Sequence, residues 1–328
     1  MKKNIALVWG GYSSEAIVSA KSAEGIFSFL DKEKYNVYKV EINKAGWFAD
    51  IDGQRVDVDK NDFSITPPQQ PPKIVFDFAY ITIHGTPGED GRLQGYLEMM
   101  GIPHSTCSLE TSALLFNKFY CNNFLKSFDI KVANSVLLRK GEKYNATEII
   151  NSLGLPIFVK PSIGGSSFAT TKVKAGTDLD KAIALAFQEA PQVIIESFIS
   201  GREVTCGCFK IENSIEALPI TEVVTTNDFF DYEAKYEGAV EEITPARISI
   251  DLTEEIQQIT KKIYHLTGAK GIIRADYIIS DDIPYLLEVN TTPGMTSTSF
   301  IPQQVAAAGL SITQLLTEII EDELKNKQ

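Results

Sequence analysis

The chain has 328 residues and a mass of 36.2 kDa, a length that suits two or three domains. Its 44% hydrophobic and 23% charged residues, with 22 Gly and 14 Pro, are globular usage and exclude a disordered or fibrous chain. Lys and Arg number 31 and Asp and Glu 43, so the formal charge of -12 repels polyphosphate and argues against nucleic acid as a partner.

The first apolar run, 5–9, stops at Gly10-Gly11. It is too short for a signal h-region or a membrane span, so a cytoplasmic protein with no membrane partner is expected. Residues 4–9 predict a strand, Ala16, Ala20, Ala23, Phe27 and Leu30 recur at helical spacing, and 37–42 predict a second strand, which together make a βαβ opening. Asp52-Gly53 signals a hairpin turn, and the proline-rich stretch 67–72 is an extended surface spacer. One long buried strand is expected over 74–83, then a polar loop at 84–91 and a helix to about Met100. The first domain, 1–106, is therefore expected to be a parallel α/β unit.

A helix from Thr111 carrying Lys118 opens a second domain, 107–199. Strands at 156–160 and 169–173 flank a glycine-rich loop at 161–167, Thr177 is a candidate helix cap, and 193–196 form another strand. The third domain, 200–328, has strands at 203–210 and 215–223, an irregular stretch at 225–240, and a helix striped by Leu252, Ile256, Ile259, Ile263 and Leu266 and closed by Gly268. Strands at 271–279 and 284–290, a Thr-Pro-Gly loop and two helices complete it, giving an α+β character to the second and third domains. Cys107, Cys121, Cys206 and Cys208 form no CxxC pair and only three His exist, so neither a disulfide framework nor a zinc cluster is supported; Cys206 and Cys208 share one strand face as packing residues.

Chemistry concentrates in the last strand pair. Side chains alternate faces along a strand, so Arg274 shares one with Asp276, and Glu288 shares one with Asn290. If Asp276 lies opposite Glu288, the residue numbers call for an odd loop, such as 281–283, and both carboxylates converge. Two carboxylates and an amide oxygen suit Mg²⁺, with Arg274 beside them to neutralise a transferring phosphoryl group. On alternation alone, a solvated face with an ordinary surface ion pair fits equally well.

Lys160 ends an apolar strand and precedes Gly164-Gly165-Ser166-Ser167, whose N–H groups and hydroxyls suit phosphate oxygens; a plain surface turn is the alternative. Neither GxxxxGK[ST] nor GxGxxG occurs, which removes the P-loop and Rossmann modes of nucleotide binding. Glu15 follows the first strand where a ligand ammonium can reach it, and equally serves as favourable charge in a first helical turn. His84, with Glu89 and Asp90, lies at the same sheet edge and has a structural alternative. The aromatic and charged stretch 229–236 suits a lid or a loop folded onto its own domain.

The segments GGYSSE, HGTPGEDG, KPSIGGSS, FFDYEAKY, GIIRADY and LLEVNTTPGMTSTS, in this order across nearly the whole chain, resemble the D-alanine:D-alanine ligase family of ATP-grasp enzymes. The resemblance implies a pre-ATP-grasp domain followed by an ATP-grasp fold that clamps ATP, with peptidoglycan precursor synthesis as the role and a homodimer as the assembly. It places Lys118, Lys160, Ser167, Glu196, Ile199 and Glu203 at the nucleotide, Lys235 at its phosphates and Phe229 beside adenine. Asp276, Glu288 and Asn290 become ligands of two Mg²⁺ ions, for which Mn²⁺ can substitute. Glu15 holds the first ammonium, with His84 nearby, Ser166 and Tyr236 link the loops over the site, and Ser299 with Phe300 bounds the second substrate.

The implied reaction is attack of one D-alanine carboxylate on the ATP γ-phosphorus, giving ADP and a D-alanyl phosphate, and then attack of a second D-alanine amine while Arg274 and the Gly294 N–H hold the oxyanion. Departures from the family are Gly164 where Glu is common, Thr106 where Gly is usual, and Thr298-Ser299-Phe300 where His-Ser-Leu is common; the last bears on acceptor choice. Ligation of D-alanine to D-lactate or D-serine, or a nucleotide-binding regulator without chemistry, are the alternatives; Tyr236 favours an amine acceptor, since hydroxy-acid relatives resemble this sequence with Phe there.

Overall fold

The computed structural model describes residues 2–68, 72–165, 168–225 and 240–325. Its first sheet contains β1 (Lys3–Gly10), β2 (Tyr35–Asn43), β3 (Gly46–Ile51), β4 (Gln54–Asp59), β5 (Ser64–Ile65), β6 (Ile74–Val75) and β7 (Phe78–Ile81) in the order β6-β5-β4-β3-β2-β1-β7. Only β2, β1 and β7 are parallel; β2 through β6 form an antiparallel extension. The parallel unit expected from the βαβ opening is therefore one end of a mixed sheet. Asp52 and Gly53, at φ 51° and 79°, make the β3–β4 turn as the sequence predicts. The single strand expected over 74–83 is two short ones, β6 pairing with β5 and β7 with β1.

Helix α1 (Ala16–Phe29) joins β1 to β2, and its buried face is Ser19, Ser22, Ala23 and Ile26; of the predicted stripe Ala23 and Leu30 are buried, whereas Ala16, Ala20 and Phe27 are only half-buried. The serines are tolerated there because they replace backbone partners: Ser19 Oγ accepts from Gly10 N at 2.9 Å and donates to Thr82 O at 2.7 Å. After α2 (Arg92–Met99), the helix expected to carry Lys118 is two, α3 (Leu109–Phe116) and α4 (Lys118–Lys126). Asn117 separates them in an extended conformation and caps α4 by accepting from Tyr120 N.

The second sheet is antiparallel, from β8 (Ser135–Arg139), β9 (Ile157–Pro161), β10 (Thr171–Val173) and β11 (Gln192–Ser197), in the order β10-β9-β11-β8. Helices α5 (Ala146–Leu153) and α6 (Leu179–Glu189) cover it. Thr177 does not cap α6; a short 3₁₀ turn over Gly176–Asp178 occupies that place.

The third sheet holds β12 (Arg202–Ile211), β13 (Ser214–Ala217), β14 (Thr221–Thr225), β15 (Val240–Ile243), β16 (Ile272–Ser280) and β17 (Ile283–Asn290), in the order β15-β14-β12-β16-β17 with β13 beside β12. The strand predicted over 215–223 is thus broken into β13 and β14. Helix α7 (Ile250–Leu266) packs on one face with Cys206, Cys208, Ile273, Ala275 and Tyr277. Cys107, Leu115, Cys121 and Leu125 join that core, so α3 and α4 pack under the third sheet although they follow the first domain in the chain. The last helices, α8 (Phe300–Ala307) and α9 (Ile312–Lys325), share a core with Ile5, Leu7, Ile26 and Phe78 of the first sheet. Burial of this kind, about 25 cal/mol per Å² of apolar surface, ties the first and third units together.

Candidate active site

The three units meet around a cleft of about 610 Å³, lined among others by Ser13, Glu15, Gly85, Lys118, Lys160, Gly165, Glu196, Ile199, Glu203, Arg274, Asp276, Glu288 and Phe300. A space of that size accommodates a nucleotide or a comparable ligand. One wall is the β16–β17 hairpin. Asp276 pairs with Glu288 and Arg274 with Asn290, as the alternation argument requires. The odd loop does not occur. Asp281 and Asp282, at φ 50° and 60°, make a two-residue turn, and Leu287 is an extra residue where the register shifts between Asp276 and Tyr277.

That bulge decides the face. Leu286 pairs with Tyr277 and Val289 with Ala275, all four in the core beneath α7, whereas Leu287 and Glu288 both line the cleft. In an unbulged ladder from the same turn, Glu288 would follow Leu286 into that core.

The carboxylates are held by cations and hydroxyls. Arg274 donates from Nε to Asp276 Oδ1 at 2.8 Å and from Nη2 to Oδ2 at 2.7 Å, a two-pronged bond. Thr205 Oγ1 donates to Oδ1 at 2.6 Å and Asn290 Nδ2 to Oδ2 at 3.0 Å. Burial opposes the charge on Arg274, but Asp276, Glu288 and Glu89 together outweigh it and raise the guanidinium pKa. Lys118 Nζ pairs with Glu288 at 3.1 Å and donates to Gly164 O at 2.6 Å, which ties the glycine loop to the carboxylate corner. Burial again opposes the Lys118 charge, and Glu288 raises its pKa. Lys160 meets Glu196 at 2.6 Å in the middle of the second sheet. Two carboxylates beside an amide are a donor set for a hard divalent ion, which at Asp276 would take the place of one of the four hydrogen bonds that Arg274, Thr205 and Asn290 now make to it. Among the described residues no group of three or more His, Cys, Asp or Glu gathers as a metal cluster, so other ligands would come from phosphate and water.

Glu15 stands at the start of α1 and lines the same cleft, with glycines packed close around its carboxylate. A Cβ on Gly165 would lie 2.7 Å from Glu15 Oε1, and one on Gly85 3.1 Å from Oε2. His84 does not line the cleft. It is buried, its Nε2 lies 3.1 Å from Ser22 Oγ, and burial pushes its pKa down to about 4 against the pull of Glu15. Ser299 precedes α8, but its Oγ is engaged by Thr296, whose N donates at 3.0 Å and whose Oγ1 lies at 2.8 Å. Gly294 is beside it: a Cβ there would come within 3.0 Å of Ser299 Oγ. Phe300 stacks 5.3 Å from the Arg274 guanidinium. Ser166, Ser167, Phe229, Lys235 and Tyr236 lie outside the described residues.

Sequence reasoning missed Thr205, whose only signal is its register opposite Asp276 in β12, and Asn122, a buried amide with no motif around it. Glu89, which the sequence places with His84 at the sheet edge, is buried and accepts from Gly85 N at 2.6 Å; burial raises its pKa despite that bond.

A cleft clamped between two antiparallel α+β units, with an α/β unit closing its third side, and with cations set around a two-carboxylate corner, defines an ATP-grasp ligase. The model of the D-ala D-ala ligase N-terminus matches residues 4–107, and that of the D-ala D-ala ligase C-terminus matches 124–321. A D-alanine–D-alanine ligase of Parabacteroides distasonis is 58% identical, covering 100% of this chain and 99% of its own length. The chain belongs to the D-alanine–D-alanine ligase family. Among solved structures, the VanG D-Ala:D-Ser ligase from Enterococcus faecalis superposes with a TM-score of 0.87 at 30% identity, covering 98% of this chain and 100% of its own. The D-alanine–D-alanine ligase from Bacillus anthracis complexed with ATP gives 0.79 at 29% identity, covering 99% and 98%.

Proposed function

We propose that this chain condenses two D-alanine molecules to D-alanyl-D-alanine for peptidoglycan precursor synthesis, consuming ATP and releasing ADP and phosphate. The observation that carries the reading is the β16–β17 corner, where Arg274, Asp276 and Glu288 line the same cleft as Glu15 and Asn290 bonds to Asp276. ATP as co-substrate is supported by the ATP-bound relative. Lys118 and Lys160 would meet phosphate oxygens, and Glu196, Ile199 and Glu203 the rest of the nucleotide; Ser167, Phe229 and Lys235 are assigned there from sequence alone.

Asp276, Glu288 and Asn290 would hold two Mg²⁺ ions, or Mn²⁺ in their place. When bound, these ions offset charge on the phosphate oxygens. Glu15 pairs with the first D-alanine's ammonium and aims its carboxylate oxygen at the γ-phosphorus. As that oxygen bonds to phosphorus, the bond to the bridging oxygen of ADP breaks and D-alanyl phosphate forms. Arg274 follows the charge on the transferred group, and closure by Ser166 and Tyr236 keeps water from the anhydride. The second D-alanine, bounded by Ser299 and Phe300, attacks the acyl carbon through its amine. Arg274 and the Gly294 N–H hold the oxyanion, phosphate departs, and the amine loses its proton.

The test is ADP release coupled to product mass. Release that needs both D-alanine and Mg²⁺ supports the ligase; ATP binding without release indicates a regulator. The Thr298-Ser299-Phe300 departure and the likeness to a D-Ala:D-Ser ligase make acceptor choice a second question, which D-serine and D-lactate competition answers. Among the described residues no helix is long and apolar enough to cross a membrane. We place the reaction in the cytoplasm, where its ATP is made, and the assembly as a homodimer, which sedimentation would check.

A further inference from the structure

A β-bulge leaves its extra residue outside the ladder, so that residue's backbone groups need other partners. At Leu287 the partner is a side chain: Asn122 Nδ2 donates to Leu287 O at 3.2 Å. The preceding residue is anchored too, Leu286 N donating to Lys131 O at 2.8 Å. The Asn122 amide also reaches Glu196 Oε1 at 3.4 Å, and the other oxygen of Glu196 receives Lys160. Asn122 and Lys118 are four residues apart on α4 and so share a face. From that face one helix grips consecutive residues of β17, Leu287 by its carbonyl and Glu288 by its carboxylate.

Asn122 is 2% exposed and its Oδ1 is buried with no hydrogen-bond partner among the described residues. An unmet acceptor in the interior costs about 1–3 kcal/mol. A residue kept there for packing alone would shed that cost as leucine. The side chain is present for its donor end.

We propose that Asn122 is a positioning residue, fixing the Leu287 bulge and with it the placement of Glu288 toward metal and of Glu196 toward nucleotide. This rests on the ATP-dependent reading above. Asn122→Asp keeps the shape but removes the donor, and Asn122→Ala removes the group. Mn²⁺ binding is measured by electron paramagnetic resonance with a non-hydrolysable ATP analogue present, alongside thermal unfolding and the KM values.

Mn²⁺ affinity is expected to fall about tenfold or more in both variants, as for other residues that orient a metal ligand. The KM for ATP rises with it, and the KM for the first D-alanine, which depends on Glu15, stays unchanged. Folded variants that bind Mn²⁺ as the parent does would overturn the proposal, as would variants that merely melt earlier with metal affinity intact, or the failure of both to fold. A parent protein without D-alanine-dependent ADP release sinks the ligase reading instead, and its metal and nucleotide binding still tests the clamp.

Discussion

Asp276 faces Glu288 across the last hairpin because Leu287 is one residue too many for the ladder. The two-residue turn at Asp281 and Asp282 starts the pairing in a register that sends Glu288 toward the core, and the extra residue reverses it one step before the carboxylate. A charged group on the core face would carry a desolvation cost of several kcal/mol, so the bulge is what makes this strand pair compatible with both a core and a pair of carboxylates at the cleft.

Arg274 is bound through two of its three guanidinium nitrogens to Asp276 and stacks over Phe300, so its place is set before any charge develops nearby. Arg274→Ala should lower kcat by about 10³-fold while ATP affinity changes little. Lysine should not restore turnover, because an ammonium lacks the planar fork. Steady-state kinetics with direct nucleotide titration checks this; unchanged turnover removes the phosphoryl role.

Gly165 lacks the Cβ that would press on the Glu15 carboxylate. In Gly165→Ala the flexible carboxylate yields, so melting temperature should hold while the KM for the first D-alanine rises about ten- to a hundredfold and that for ATP does not. An unaltered donor KM would show that Glu15 does not hold the substrate.

Gly25 faces the Met295 carbonyl, and a Cβ there would lie 2.1 Å from that oxygen. Helix propensity alone would favour Gly25→Ala by about 1 kcal/mol. Backbone cannot step aside as a side-chain tip can, so overpacking wins, and a net destabilisation of about 1–3 kcal/mol is expected. Thermal unfolding decides, a raised melting point being the contrary result.

His84 is neutral at neutral pH, its pKa moved from 6.5 to about 4 by burial. The native state then binds fewer protons than the unfolded chain between those values. The stability this provides is complete above pH 6.5 and is lost as pH falls toward 4, by up to about 3 kcal/mol. His84→Gln should flatten the dependence of denaturant stability on pH in that window and leave it unchanged above. An equally steep profile in the variant would assign the acid sensitivity elsewhere.

Tyr236 is placed over the site by the sequence resemblance. Tyr236→Phe should shift the product ratio toward D-lactate by about tenfold, the worth of one hydrogen bond. Mass analysis with both acceptors present gives the answer, and an unmoved ratio argues against the gate.

Local chemistry in the sequence announced the βαβ opening, the Asp52-Gly53 turn, the stripe of α7 and the polar positions of the last two strands, because each depends on neighbours within a few residues. The order of six motifs announced the family. Hidden in the sequence were Thr205 and Asn122, whose importance lies in contacts 71 and 165 residues away along the chain, with Asp276 and Leu287.

Alternation alone determined that Arg274 goes with Asp276, since strand geometry has a period of two whatever surrounds it. Which face Glu288 would take was decided only in three dimensions. A turn shorter than the residue count called for was reconciled with the core by a bulge, and that bulge is held from outside its own sheet by the amide of Asn122. The cleft is likewise a tertiary fact: Glu15, Lys160 and Asp276 come from the units built on three different sheets, and only the packing of α8 and α9 against the first sheet and of α3 and α4 under the third brings their charges to one place.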